Sequence, residues 1–167
     1  MTWQLRRASA VDLDGIMLLE SSIFGTDAWS ADTMLAELTS QNTSYLVAFK
    51  PETPERLDAY AGLLSPQGAG VAEIQTIAVA QYARRSGLGR TMMRTLINEA
   101  LTRGAGEIML EVRADNPGAE ELYRSLGFEA IAIRRKYYQP DGVDAHVMRL
   151  IPTPREPALA ARDEGGS

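Results

Sequence analysis

A glycine pair set among arginines stands out in this 167-residue chain. Arg84-Arg85-Ser86-Gly87-Leu88-Gly89-Arg90 lies between a β-type run and the strongest helical stripe of the sequence. Gly87 and Gly89 leave the backbone uncovered, so several N–H groups can converge on one small volume. The first turn of the following helix adds unsatisfied donors and the positive end of its dipole. The arginines contribute forked donors that match phosphate oxygens. Together these parts suit a pyrophosphate. The segment also fits an ordinary strand-to-helix turn with a solvated basic rim. It is not a P-loop, because no Gly-Lys-Ser/Thr follows. It is not a dinucleotide fingerprint, because the third glycine and an early βαβ unit are missing.

Glu111 and Tyr123 form the second candidate pair. Glu111 interrupts the apolar run Ile108-Met-Leu-Glu-Val112. Strand alternation places Met109 and Glu111 on one side, with Ile108, Leu110 and Val112 on the other. The carboxylate is then expected to be either a surface group on an open face or a partly buried base with a raised pKa. Tyr123 sits on the inner stripe of the next helix, as a core aromatic or as a hydroxyl at the end of the same sheet. Asn116 precedes Pro117 and reads as a helix cap, with an amide that can also meet a ligand. Met92 and Met93 read as core, and His146 as a strand residue near the protein edge, without a role.

The elements that would position these groups follow from local signals. Residues 3–7 read as a first strand. Ser9 and Asp12 suit the start of a helix carried by Leu13, Ile16, Met17 and Glu20, and Ser30 suits a second cap. Residues 45–49 and 58–64 read as strands around a turn with Pro51 and Pro54. Residues 71–79 read as a central strand, expected to be buried on both faces. Leu88, Met92, Met93, Leu96, Ile97, Ala100 and Leu101 make one apolar helical stripe. Residues 108–112 form a strand, and a short helix after Asn116 is stopped by a left-handed Gly127 with Phe128 behind it. Residues 128–138 and 145–151 are the last two strands, with Asp141-Gly142 in the turn region between them. The order defines a mixed α/β (α+β) domain around one sheet over residues 1–151. Prolines, alanines and charges mark 152–167 as a disordered tail.

Composition narrows the chemistry. Hydrophobic residues make up 45% and charged residues 23%, which suits a globular domain. There is no cysteine and only one histidine, so thiolate or histidine-rich metal sites and a cysteine nucleophile are excluded. The net charge is −5, which disfavours a bulk electrostatic grip on nucleic acid and favours a basic partner. No apolar run is long enough to span a bilayer, and the N-terminal residues do not resemble a secretory signal. The expected setting is cytoplasmic, without a metal, a nucleic acid or a membrane as partner.

Arg84-x-x-Gly87-x-Gly89 resembles the acetyl-CoA pyrophosphate signature of the GNAT N-acetyltransferases. Leu110-Glu-Val-Arg-Ala-Asp-Asn-Pro117, Leu122-Tyr-Arg-Ser-Leu-Gly-Phe128 and Arg134-Arg-Lys-Tyr-Tyr138 resemble one branch in particular, the RimI type, which acetylates the N-terminal amine of ribosomal proteins. The similarity extends over residues 3–150. It implies the GNAT fold, with a mixed, mostly antiparallel central sheet flanked by helices. It implies acetyl-CoA as co-substrate, held by Ile77, Ala78, Val79, Arg84, Arg85, Ser86, Gly87, Leu88, Gly89, Arg90 and Asn116. Glu111 would be the general base and Tyr123 the general acid. Trp29, Tyr137 and Tyr138 would contact the acceptor, the N-terminal peptide of a protein, ribosomal in this branch, with a small first residue. The expected protein is a monomer or weak dimer. A small-molecule amine or a lysine side chain is the alternative acceptor, and a non-catalytic acyl-CoA-binding module is the alternative class. The sequence departs from the branch at Arg84, often glutamine, at Ala80-Gln81, often acidic residue-proline, and at Ala28, usually proline.

Overall fold

The computed structural model describes residues 2–152. In chain order they form β1 (Gln4–Arg7), α1 (Leu13–Phe24), α2 (Ala31–Thr39), β2 (Thr43–Phe49), β3 (Ala59–Leu64), β4 (Val71–Val79), α3 (Leu88–Thr102), β5 (Glu107–Arg113), α4 (Pro117–Ser125), β6 (Glu129–Tyr138) and β7 (Val143–Leu150). The capping signals do what their chemistry allows. Ser9 N–H donates to Asp12 Oδ2 at 3.0 Å, over a 3-10 turn that leads into α1. Ser30 Oγ accepts from Thr33 N–H at 3.1 Å and opens α2. Such a cap contributes about 1 kcal/mol. Gly127, at φ +105°, turns the chain out of α4, and Phe128 N–H closes back onto Tyr123 O at 3.0 Å.

The seven strands make one sheet in the order β1-β2-β3-β4-β5-β7-β6. Every neighbouring pair is antiparallel except β4 and β5, which run parallel because α3 carries the chain back between them. β7 inserts between β5 and β6, so His146 lies on an interior strand, not near the edge as its sequence position suggested. Its Nδ1 stands 2.7 Å from Glu120 Oε1 on α4.

Two apolar clusters flank the sheet. On one face α1 and α2 bury Ile16, Leu19 and Met34 against Tyr45, Val47, Tyr60 and Ala78. On the other, the stripe of α3 (Leu88, Met92, Met93, Leu96, Ala100) packs with Ile108, Leu110, Val112, Phe128 and Met148. Each large side chain so buried contributes about 1.5–3 kcal/mol. β5 keeps the expected alternation, with Ile108, Leu110 and Val112 buried and Met109 and Glu111 on the other face. β4 departs from expectation. It is central, yet Glu73 is exposed and residues 75–77 are only half-buried. Residues 75–77 line a cleft, described below. The expected tail lies outside the described residues from 153 onward.

Candidate active site

β4 and β5 pair only through Val71–Glu107, Ala72–Ile108 and Glu73–Met109. Beyond Glu73 they separate, and a cleft of about 1010 Å³ opens between them. A bulge bends β4 at this point: Leu63 pairs with Ile74 and Gly62 with Thr76, leaving Gln75 between them without a partner on β3. Gln75 is pinned on the α1–α2 face, since Tyr45 Oη donates to its Oε1 at 2.7 Å and its Nε2 donates to Glu37 Oε1 at 3.1 Å. Past the bulge, β3 pairs with Ile77, Ala78 and Val79 on one edge only. Their other edge faces the cleft without a strand partner, so its backbone groups await an extended ligand.

The glycine loop closes one end of this opening. Arg84 Nε donates to Val79 O at 3.0 Å and Ser86 Oγ to Ala83 O at 2.6 Å, which ties the loop to the end of β4. Arg85 and Gly87 both adopt left-handed conformations, at φ +60° and +86°. α3 starts at Leu88 with no side-chain cap, so its first donors remain unspent. A Cβ on Gly87 would meet nothing within 4 Å, while one on Gly89 would touch Leu122 Cδ2 at 3.5 Å. The volume above Gly87 is thus open and Gly89 lies against α4. Arg84, Arg85, Gly87, Gly89 and Arg90 line the cleft. Ser86 and Leu88 do not; Leu88 is buried in the core, and only its backbone can serve a ligand. Asn116 caps α4 with Oδ1, accepting from Ala119 N–H at 3.2 Å, and its amide nitrogen remains for the cleft.

The cleft also carries the candidate acid–base pair. Glu111 lines the cleft from β5, and Arg134 Nη1 donates to its Oε2 at 2.6 Å. Tyr123 reaches the same cleft from α4, 6% exposed, its ring edge-on to Phe128 at 6.1 Å. Burial first, and then Tyr138, push its phenol above the ordinary tyrosine range. Tyr138 also lines the cleft, and burial with the neighbouring Glu111 charge pushes it up to about 12. Trp29 lines the wall beside Ile23 and Phe24 of α1. Tyr137 is not brought into the cleft wall. It is 45% exposed, under the Arg134 guanidinium at 4.9 Å from its ring centre.

Several residues of the cleft were not singled out for chemistry by their types and spacing. Arg113 donates to Asp27 at 2.5 Å, to Asp115 at 3.0 Å and to Asp141 at 2.6 Å, so one guanidinium ties β5 to the α1–α2 connection and to the β6–β7 turn. Asp115 first, and then Asp141, hold Arg113 above its ordinary pKa. Glu20 is buried in the cleft wall. Its available signal was a charged residue on the apolar face of α1. Among the described residues no group of three or more His, Asp or Glu side chains is placed to hold a metal ion. No helix among them is long and apolar enough to cross a membrane.

A parallel strand pair that splays beside a bulge, over an uncapped glycine turn, is the architecture of a GNAT-type acetyltransferase. The profile of the Acetyltransferase (GNAT) family matches residues 14–128, and the chain belongs to that family. It is 40% identical over 141 residues to an uncharacterised protein of Mycobacterium leprae, a match that covers 83% of this chain but 38% of that relative's length. It is 39% identical over 134 residues to the N-alpha-acetyltransferase RimI of Mycobacterium tuberculosis, covering 78% of this chain and 81% of the relative. The crystal structure of the ribosomal-protein-S18-alanine N-acetyltransferase from Escherichia coli superposes with a TM-score of 0.78 at 30% identity, over 93% of this chain and 97% of that one.

Proposed function

We propose that this protein transfers an acetyl group from acetyl-CoA to the N-terminal α-amine of a protein, and that the acceptor is a ribosomal protein with a small first residue. The observation that carries this is the cleft itself, which joins an open β4 edge and an uncapped α3 N-terminus to Glu111 and Tyr123. The relatives support the acceptor, since the E. coli neighbour is named for alanine acetylation of ribosomal protein S18. Acetyl-CoA supplies an activated thioester. The α3 N-terminus and the Arg85–Gly87 turn hold its pyrophosphate, and the free edge of Ile77–Val79 aligns its arm by backbone hydrogen bonds.

The chain's own groups then move the protons. An α-ammonium has a pKa near 8 and must be deprotonated before it attacks. Glu111 takes that proton, directly or through one water. Arg134 donates to Oε2 and orients the carboxylate for this task. A backbone N–H of β4 stabilises the charge that develops on the carbonyl oxygen. Tyr123 donates to the departing thiolate, and its raised pKa keeps it protonated until then. No residue becomes acylated.

The test is a panel of short peptides that differ in their first residue, incubated with the purified protein and acetyl-CoA. Mass spectrometry locates the acetyl group. Modification of α-amines with a preference for a small first residue is the expected result. Modification confined to lysine side chains or to small-molecule amines would overturn it.

A further inference from the structure

We propose that Glu20 is the counter-ion that receives the acceptor's α-ammonium, so that one carboxylate binds the amine and another, Glu111, deprotonates it. This rests on the reading of the acceptor as a primary α-amine. Glu20 projects from α1 and is only 2% exposed. Its Oε2 accepts from Trp29 N–H at 2.8 Å, whereas its Oε1 is buried with no hydrogen-bond partner. A buried carboxylate oxygen without a partner carries an uncompensated desolvation penalty, and such atoms are rare in folded proteins. Burial also raises the pKa of this carboxyl, with the Trp29 N–H acting the other way.

The cations of the same cleft end are spent elsewhere. Arg113 is held by Asp27, Asp115 and Asp141, and Arg134 by Glu111. Ile23, Phe24 and Trp29 make the wall beside Glu20 apolar, and Asp27 between them is already paired with Arg113. A ligand that completes this wall brings one N–H-bearing cation on a short apolar body. An α-ammonium with a small first side chain has that form.

The experiment uses the full chain saturated with coenzyme A and two probes. One is a short peptide that starts with alanine; the other is the same peptide with its α-amino group replaced by hydrogen. By calorimetry the parent should bind the amine-bearing peptide about tenfold more tightly, the scale of one charge-assisted hydrogen bond. Glu20→Gln keeps an oxygen for Trp29 N–H and removes the charge. It should erase that preference and raise the peptide KM about tenfold, with kcat and the acetyl-CoA KM nearly unchanged. If Glu20→Gln melts early, Glu20→Asp decides, because it keeps the charge one methylene further away and should weaken the preference at least about threefold. A preference that survives both substitutions overturns the role of Glu20 while α-amine acetylation stands. A parent that binds coenzyme A but shows no preference for the amine overturns Glu20 as its counter-ion. A parent that also leaves α-amines unacetylated overturns the acceptor assignment as well.

Discussion

Glu111 Oε2 and Arg134 Nη1 lie 2.6 Å apart, although β7 separates the strands that carry them. Val147 pairs with Glu111 on one side and Ala132 on the other, so Arg134 reaches over β7 from two residues further along β6. The guanidinium fixes the carboxylate on the face shared by Arg113 and the α1–α2 connection. For the base proposed above, this contact sets the orientation before any amine arrives, as proximity catalysis requires.

Removing that base should cost most where the amine is charged. Glu111→Gln is expected to lower kcat about a hundredfold at pH 7. The loss should shrink as pH rises past about 8, where the α-amine is already neutral. A pH–rate profile of parent and variant checks this; a constant ratio across pH 6.5–9.5, on the order of that titration range, assigns the proton to another acceptor.

Tyr123→Phe keeps the ring that packs on Phe128 and deletes only the hydroxyl. It should reduce kcat about a hundredfold while leaving the Kd of coenzyme A and the Tm close to the parent values. Steady-state rates and calorimetry decide; a full-speed variant leaves the thiolate to be protonated by solvent.

At Gly87 backbone strain and electrostatics can be separated. The residue sits at φ +86° with free space where a methyl group would project, so Gly87→Ala should cost about 1–2 kcal/mol of stability from conformation alone. Gly87→Glu adds a negative charge at an uncapped helix N-terminus where phosphate is to bind. Its KM for acetyl-CoA should exceed that of Gly87→Ala by about tenfold or more.

Glu20 makes stability depend on pH in an unusual direction. Its carboxyl is raised in the folded protein by burial, so the folded state holds this proton more tightly than the unfolded chain does. The stability linked to it is fully present below the unfolded glutamate pKa of about 4.3 and is lost as pH rises through the higher folded value. Glu20→Gln mimics the protonated group. It should therefore melt above the parent at pH 7 and converge with it below about pH 4. Scanning calorimetry at several pH values tests this; an equal Tm at every pH would mean the carboxylate is compensated in the folded protein.

Asp12 shows the opposite sign. Arg6 donates to both of its oxygens, at 2.9 and 2.7 Å, and holds the carboxyl below its ordinary pKa. That contribution is present above the unfolded aspartate pKa of about 3.9 and disappears as pH falls through the lower folded value. With Arg6 partly exposed, Arg6→Gln should cost about 1 kcal/mol at pH 7. Urea titrations at pH 7 and about pH 3 should show the deficit shrinking in acid; a deficit that persists there would assign the cost to packing.

Local chemistry makes much of this fold legible in the chain itself. The α3 stripe, the Ser30 cap, the Asn116-Pro117 start and the Gly127 stop each act through neighbours within a few residues. The alternation on β5 placed Glu111 on the side away from Leu110 because strand periodicity is geometric. The glycine loop was readable for the same reason, since positive φ and an uncapped helix start depend on residue type. Periodicity places Glu20 on a helix face, but the partner of its Oε2 is Trp29 N–H, nine residues along and beyond the end of the helix.

The residues by themselves thus determined which segments form helices and strands, where the glycine loop lies and which acidic side chain interrupts an apolar strand. Only the tertiary structure decided that β4 and β5 part after three pairs, that β7 enters between β5 and β6, and that Arg134 comes to rest on Glu111. Helical and strand periods are short-range consequences of backbone sterics. Strand order, the opening of the cleft and the pairing of distant charges follow from how whole layers pack, and no nearest-neighbour signal encodes them.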